Sequence, residues 1–61
     1  MERVRYYTTR NEQSTIFEVW VYDVEHEETP AECVATCAKR GDANLIRKLL
    51  QDRADANRKA A

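Results

Sequence analysis

Apolar and polar residues alternate most cleanly between Ile16 and Val24, Ile-Phe-Glu-Val-Trp-Val-Tyr-Asp-Val. Branched and aromatic side chains favour a strand, and a strand sends successive side chains to opposite faces. Phe17, Val19 and Val21 then share one face, purely apolar, which predicts contact with a core. Glu18, Trp20 and Tyr22 share the other, which predicts contact with water or a partner. A second alternation precedes it, with Val4, Tyr6 and Thr8 on one side and Arg5, Tyr7 and Thr9 on the other. The polar Asn11-Glu12-Gln13-Ser14 between the two runs suits a hairpin loop, so the strands pair antiparallel. Which of Tyr6 and Tyr7 faces the core depends on register, since a slip of one residue reverses it.

The periodicity changes after Gly41. Leu45, Ile46, Leu49 and Leu50 recur at helical spacing and predict one apolar stripe. Arg47, Lys48, Gln51, Asp55, Arg58 and Lys59 fall on the opposite face. Asp42 makes a good N-cap, with Gly41 turning the chain before it. Lys48 and Asp52 stand at i,i+4 spacing, in the weaker orientation for an ion pair. The helix is expected over 42–57, fraying after Asn57, where no further apolar anchor follows.

Residues 32–38 read two ways. Thr29-Pro30-Ala31-Glu32 fits a helix start, with Thr29 as N-cap and Glu32 closing a capping box. Lys39 and Arg40 followed by Gly41 fit a helix end. Cys33-Val34-Ala35-Thr36-Cys37 also reads as a strand, and a third strand relieves the marginal stability of a lone hairpin. Small Cys33, Ala35 and Cys37 on one strand face would let a helix approach closely. Local signals lean slightly towards helix.

Val34-Ala35-Thr36-Cys37 followed by Asp42-Ala43-Asn44-Leu45-Ile46-Arg47-Lys48-Leu49-Leu50 resembles a pattern in short phage and prophage reading frames, and Phe17 to Asp23 with its tryptophan looks similar too. The likeness spans most of residues 16–51. In those proteins a strand leads into a helix beginning Asp-Ala-x-Leu-Ile. The resemblance therefore implies a third strand at 32–38 and a phage source. It implies no activity, because the pattern contains no catalytic residue. The expected fold is α+β, a three-stranded antiparallel sheet with strands at 3–9, 16–24 and 32–38 and one C-terminal helix on one face. A ββαα arrangement is the alternative.

Size bounds the rest. The 61 residues make one small domain. A chain of this length buries only about 60% of its unfolded surface, so it gains from a partner, a metal or a disulfide. No apolar run approaches the roughly 20 residues that span a bilayer, and the first residues lack the apolar core of a signal peptide. The expectation is a cytoplasmic protein of a bacterial host with reduced thiols.

The net charge of −1 hides a segregation: residues 1–10 carry +2, residues 11–38 carry −7 with no Lys or Arg, and residues 39–61 carry +4. Such polarity steers charged partners without deciding the fold.

Candidate chemistry is sparse. Cys33 and Cys37 are about 13 Å apart if the segment is a strand, too far to bridge. As a helix they would still need two more ligands to bind zinc. They are expected to be small buried thiols, with no metal and no cofactor. His26 among Glu25, Glu27 and Glu28 reads as a solvated loop residue, since a general base needs a positioned nucleophile and a pocket. No Gly-rich phosphate cradle is present. An enzyme is the least favoured class.

The partner-binding candidates are Trp20 and Tyr22, with Glu18, Glu25, Glu27 and Glu28 supplying negative charge. Arg5 and Tyr7 stand opposite on the first strand. Aromatics on a sheet stack bases, and they are also what protein interfaces enrich. The carboxylates repel phosphates, which favours a protein partner or a homodimer. The expected function is a non-catalytic protein-binding module, an inhibitor or modulator of a bacterial protein such as a defence complex. The alternative is a small nucleic-acid-associated regulator using the basic helix face and the sheet aromatics.

Overall fold

Three strands and one helix follow in chain order: β1 (Val4–Asn11), β2 (Ile16–Asp23), β3 (Glu32–Cys37) and α1 (Arg40–Ala60). The computed structural model describes residues 3–60, with side chains through Arg58. The sheet is antiparallel throughout in the order β1-β2-β3, so the most β-prone run occupies the centre. α1 packs across one face and touches all three strands, β1 most heavily. This is the expected α+β fold in its three-stranded form, and the ββαα alternative is set aside.

The hairpin joining β1 to β2 turns where the polar run predicts. Asn11 organises it twice: its carbonyl accepts from the Ser14 and Thr15 amides, and its side-chain oxygen accepts from the Gln13 amide. Thr15 completes the turn at φ 54°, a left-handed conformation uncommon for a β-branched residue. The resulting register sets Tyr7 opposite Trp20 and Tyr6 opposite Val21. Tyr6 therefore shares the helix-covered face with Val19, and Tyr7 lies on the far face.

Residues 32–37 form a strand despite the helix-start signal at Thr29 to Glu32. Pairing with β2 satisfies the facing backbone groups of both strands, and that gain outweighs a local capping preference. A bulge interrupts the ladder. Ala35 faces Val19 and Cys33 faces Trp20, which leaves Val34 as the extra residue. The extra residue reverses the alternation. Cys33 registers with Trp20 on the far face and Cys37 with Phe17 on the helix-covered face. The expectation of two buried thiols is corrected: Cys33 is exposed and Cys37 half-buried, both free.

The helix is also corrected, in its ends and in its rotation. It begins at Arg40, so Asp42 lies inside the first turn and is not the N-cap. Gly41 is helical, not a turn residue, and α1 runs on to Ala60 instead of ending at Asn57. The predicted stripe divides. Ile46 and Leu50 turn towards the sheet, while Leu45 and Leu49 are 56% and 58% exposed. Ala43 is fully buried, and Arg47, Gln51, Ala54 and Asp55 are half-buried. The helix is thus turned by about one residue, some 100°, from the purely apolar solution. No Lys48–Asp52 pair forms among the described residues.

Two contacts explain the rotation. Ala43 has no bulk to hold the helix away from Val19. About two turns further along, Gln51 reaches the outer edge of β1. Its Oε1 accepts from the Tyr6 amide at 2.8 Å, and its Nε2 donates to the Val4 carbonyl at 3.1 Å. A side-chain amide so placed bonds the strand as another strand would, and it closes an edge that would otherwise be bare. Asn44, seven residues earlier on the same side, meets the Thr8 hydroxyl at 3.3 Å. At the other end the Arg40 guanidinium lies 5.4 Å from the centre of the Phe17 ring, a cation–π contact that closes the core there.

The core so made is thin. Among the described residues only Val19 and Ala43 are buried. The radius of gyration is 12.3 Å, against about 10.5 Å for an average globular chain of this length. The accessible surface is 4727 Å², against about 4,100 Å² for a folded monomer of this mass.

The Gln51 clamp yields a prediction. Gln51→Ala lowers unfolding stability by about 1 kcal/mol, because the edge groups of Tyr6 and Val4 return to water. Gln51→Glu costs more, because it sets a carboxylate against the Val4 carbonyl and the Asp55 carboxylate, which Nε2 now approaches at 3.2 Å. Denaturant unfolding of the three proteins checks the order. Equal stabilities would show that the clamp contributes nothing.

Candidate functional site: the uncovered sheet face

The period-two alternation of β1 and β2 sends Arg5, Tyr7 and Thr9 and their partners Tyr22, Trp20 and Glu18 away from α1. No element covers this face among the described residues. Its cross-strand ranks run Arg5–Tyr22, Tyr7–Trp20 and Thr9–Glu18, with Cys33 and Thr36 continuing the last two onto β3. The rings of Tyr7 and Tyr22 meet edge to face, with centroids 5.8 Å apart and planes at 62°. Tyr22 is 42% exposed and Trp20 half-buried.

Glu18 is partly used within the chain. Its Oε1 accepts from the Trp20 indole N–H and from the Thr9 hydroxyl, both at a long 3.4 Å. The contacts restrain the indole from one side and leave the second carboxylate oxygen available.

The acidic candidates lie at the other end. Glu25, Glu27 and Glu28 are exposed in the β2–β3 loop. Tyr22 joins that loop to the sheet. It lines an open hollow of about 500 Å³ together with Val24, Glu27, Thr29 and Pro30. The structure therefore brings Tyr22 and Glu27 together. Glu18 sits four residues down β2, about 13 Å away. The six candidate residues form a band along the sheet rather than a single pocket. A second open hollow of about 360 Å³ lies towards the helix side, between Val4, Tyr6, Val21 and the 44% exposed Val34.

Asp23 anchors the start of the loop through two contacts. His26 Nδ1 lies 2.8 Å from Asp23 Oδ2, and Asp23 Oδ1 accepts from the Glu25 amide at 2.9 Å. Partial desolvation pushes the Asp23 carboxyl up, but the Glu25 amide and His26 outweigh it and hold the group below its ordinary value of 3.8. His26 is exposed and bound to a structural carboxylate, with no nucleophile beside it. Among the described residues, no three His, Cys, Asp or Glu side chains gather as metal ligands would. No described helix is long and apolar enough to cross a membrane.

The basic helix face does not hold together. Arg47 and Arg58 are half-buried against the sheet side, while Lys48 is exposed. Lys59 lies outside the described side chains. The missed residue is Gln51, placed by periodicity among the solvated positions. Its only signal was a polar residue one step beyond Leu50, which does not distinguish a clamp from a surface amide. Compared with protein-family models, curated proteins and solved structures, the chain matches none.

The Asp23 cap predicts a pH response with a definite sign. A carboxyl whose folded value is depressed adds stability at pH above its unfolded value, and loses it as pH falls through the folded value. The Glu25 amide resonance should hold steady at neutral pH and move below about pH 4. In Asp23→Asn that acid transition disappears. A Glu25 amide that titrates identically in both proteins would rule out the cap.

Proposed function

We propose that the chain is a non-catalytic protein-binding module that engages its partner through the uncovered sheet face. The observation that carries this reading is the contrast between the two sides of β2. Val19 is fully buried on the α1 side, while no element among the described residues covers Trp20 and Tyr22, or their neighbour Tyr7 on β1, on the opposite side. With only Val19 and Ala43 buried among the described residues, much of the available burial free energy is unused, and a partner seated on the aromatics recovers part of it.

Trp20 is the anchor of this reading. It stands in the middle rank, with Tyr7 beside it and Glu18 restraining its indole. Central, pre-oriented aromatics commonly contribute about 2 kcal/mol or more to an interface. Glu25, Glu27 and Glu28 sit beyond the Tyr22 end and favour a partner with a basic rim, speeding encounter in a salt-dependent way. The resemblance to phage reading frames supports a bacterial target in the host cytoplasm, with inhibition by occupying the target surface. The split basic helix face and the carboxylates near the aromatics disfavour a nucleic-acid partner.

Affinity capture from a bacterial lysate, read by mass spectrometry, tests the module. The wild-type chain should retain a defined protein or complex, and Trp20→Ala should retain at least about tenfold less. Equal recovery by both, or recovery of nucleic acid in place of protein, removes the proposal.

A further inference from the structure

The two edges of the sheet are finished differently. Gln51 bonds the outer edge of β1. Among the described residues, nothing from another element bonds the outer edge of β3.

Which β3 groups point outwards follows from the ladder. Val4 and Tyr6 direct their backbone groups to Gln51, away from β2. Antiparallel pairing alternates, so Arg5, Tyr7 and Thr9 exchange bonds with Tyr22, Trp20 and Glu18. Val19 and Phe17 therefore point the other way, to their partners Ala35 and Cys37. Thr36, between those two, presents its N–H and C=O to the outside.

The edge is also electrically polar along its length. Glu25, Glu27, Glu28 and Glu32 lead into its N-terminal end, and Lys39 and Arg40 follow its C-terminal end. Glu32 and Lys39 are both exposed. A strand with this polarity is complementary to itself when antiparallel and repulsive when parallel.

We propose that β3 pairs with β3 of a second copy, antiparallel about a two-fold axis at Thr36, to give a six-stranded sheet. The two Thr36 residues then exchange both backbone hydrogen bonds. Glu32 of each copy reaches the level of the other's Lys39 and Arg40. The axis runs perpendicular to the sheet, so both helices fall on one side and both Trp20 faces on the other. The pairing also accounts for the direction in which the surface departs from that of a self-sufficient monomer, 4727 Å² against about 4,100 Å². It leaves the proposed partner-binding face free and doubles it, so a partner would meet two anchors at once.

Sedimentation of the purified chain across a concentration series tests the pairing without any partner. Wild type should move from monomer to dimer. Thr36→Pro removes the outward donor at an edge position where proline is tolerated, and should abolish the dimer. Lys39→Glu should raise the dissociation constant about tenfold, because two attractive pairs become repulsive. Glutamate just before a helix suits its dipole, so the monomer fold is retained. The double variant E32K/K39E should restore the dimer to within a few-fold of wild type. A chain that stays monomeric to millimolar concentration overturns the proposal. So does a dimer that ignores Thr36→Pro and the charge reversal. A dimer lost only in Trp20→Ala would likewise overturn it, by assigning self-association to the aromatic face. A wild-type chain that stays monomeric while lysate capture is intact would refute the pairing alone.

Discussion

One side-chain amide sets the arrangement. Gln51 occupies the bonds that a fourth strand would make to β1, at 2.8 Å and 3.1 Å. Meeting that edge turns α1 away from its purely apolar face, which brings Ala43 under the sheet and leaves Leu45 and Leu49 in water. Burying two leucines further would add about 1–2 kcal/mol each, less than a full transfer because both are already partly covered. Satisfying two strand-edge groups offsets part of that. It also removes a template for unwanted pairing at β1. The clamp closes the β1 edge only; the far aromatic face and the outer edge of β3 lie out of its reach.

A single helix covers one face of a three-stranded sheet, and among the described residues no second helix covers the other. The consequence is a two-layer structure whose buried positions, among the described residues, are Val19 on the sheet and Ala43 on the helix. Residues around them are half-buried, which places the aromatics of the far face among the chief reserves of unburied apolar surface. On the proposed reading, binding and folding draw on the same area: a partner on that face would stabilise the fold, and a weakened fold would present the face less well.

Much of this was legible in the residues. The alternation of Phe17, Val19 and Val21 against Glu18, Trp20 and Tyr22 fixed both sheet faces, because strand geometry leaves no freedom in which side chains share a side. The hairpin followed from Asn11 to Ser14. The third strand was not legible locally, since Thr29 to Glu32 is a sound helix start and only pairing with β2 overrides it. The bulge at Val34 was invisible for a related reason: one unpaired residue changes the face of Cys33 without changing composition or spacing. The helix rotation escaped because hydrophobic periodicity counts apolar area and does not see strand-edge hydrogen bonds. For the candidate site, Trp20 and Tyr22 could be placed on one face from sequence. The indole contact of Trp20 with Glu18, and the junction of Tyr22 with Glu27, depend on side-chain placement that alternation does not specify.

The two sheet edges differ in one respect above all: Gln51 bonds β1, and among the described residues no other element bonds β3. Amide hydrogen exchange at low protein concentration reads that difference directly. Held by Gln51, the Tyr6 N–H should exchange as slowly as the internal β1–β2 ladder, while the outward Thr36 N–H exchanges at close to the rate of an exposed amide. A fast Tyr6 amide, or a Thr36 amide protected in the dilute monomer, would contradict it.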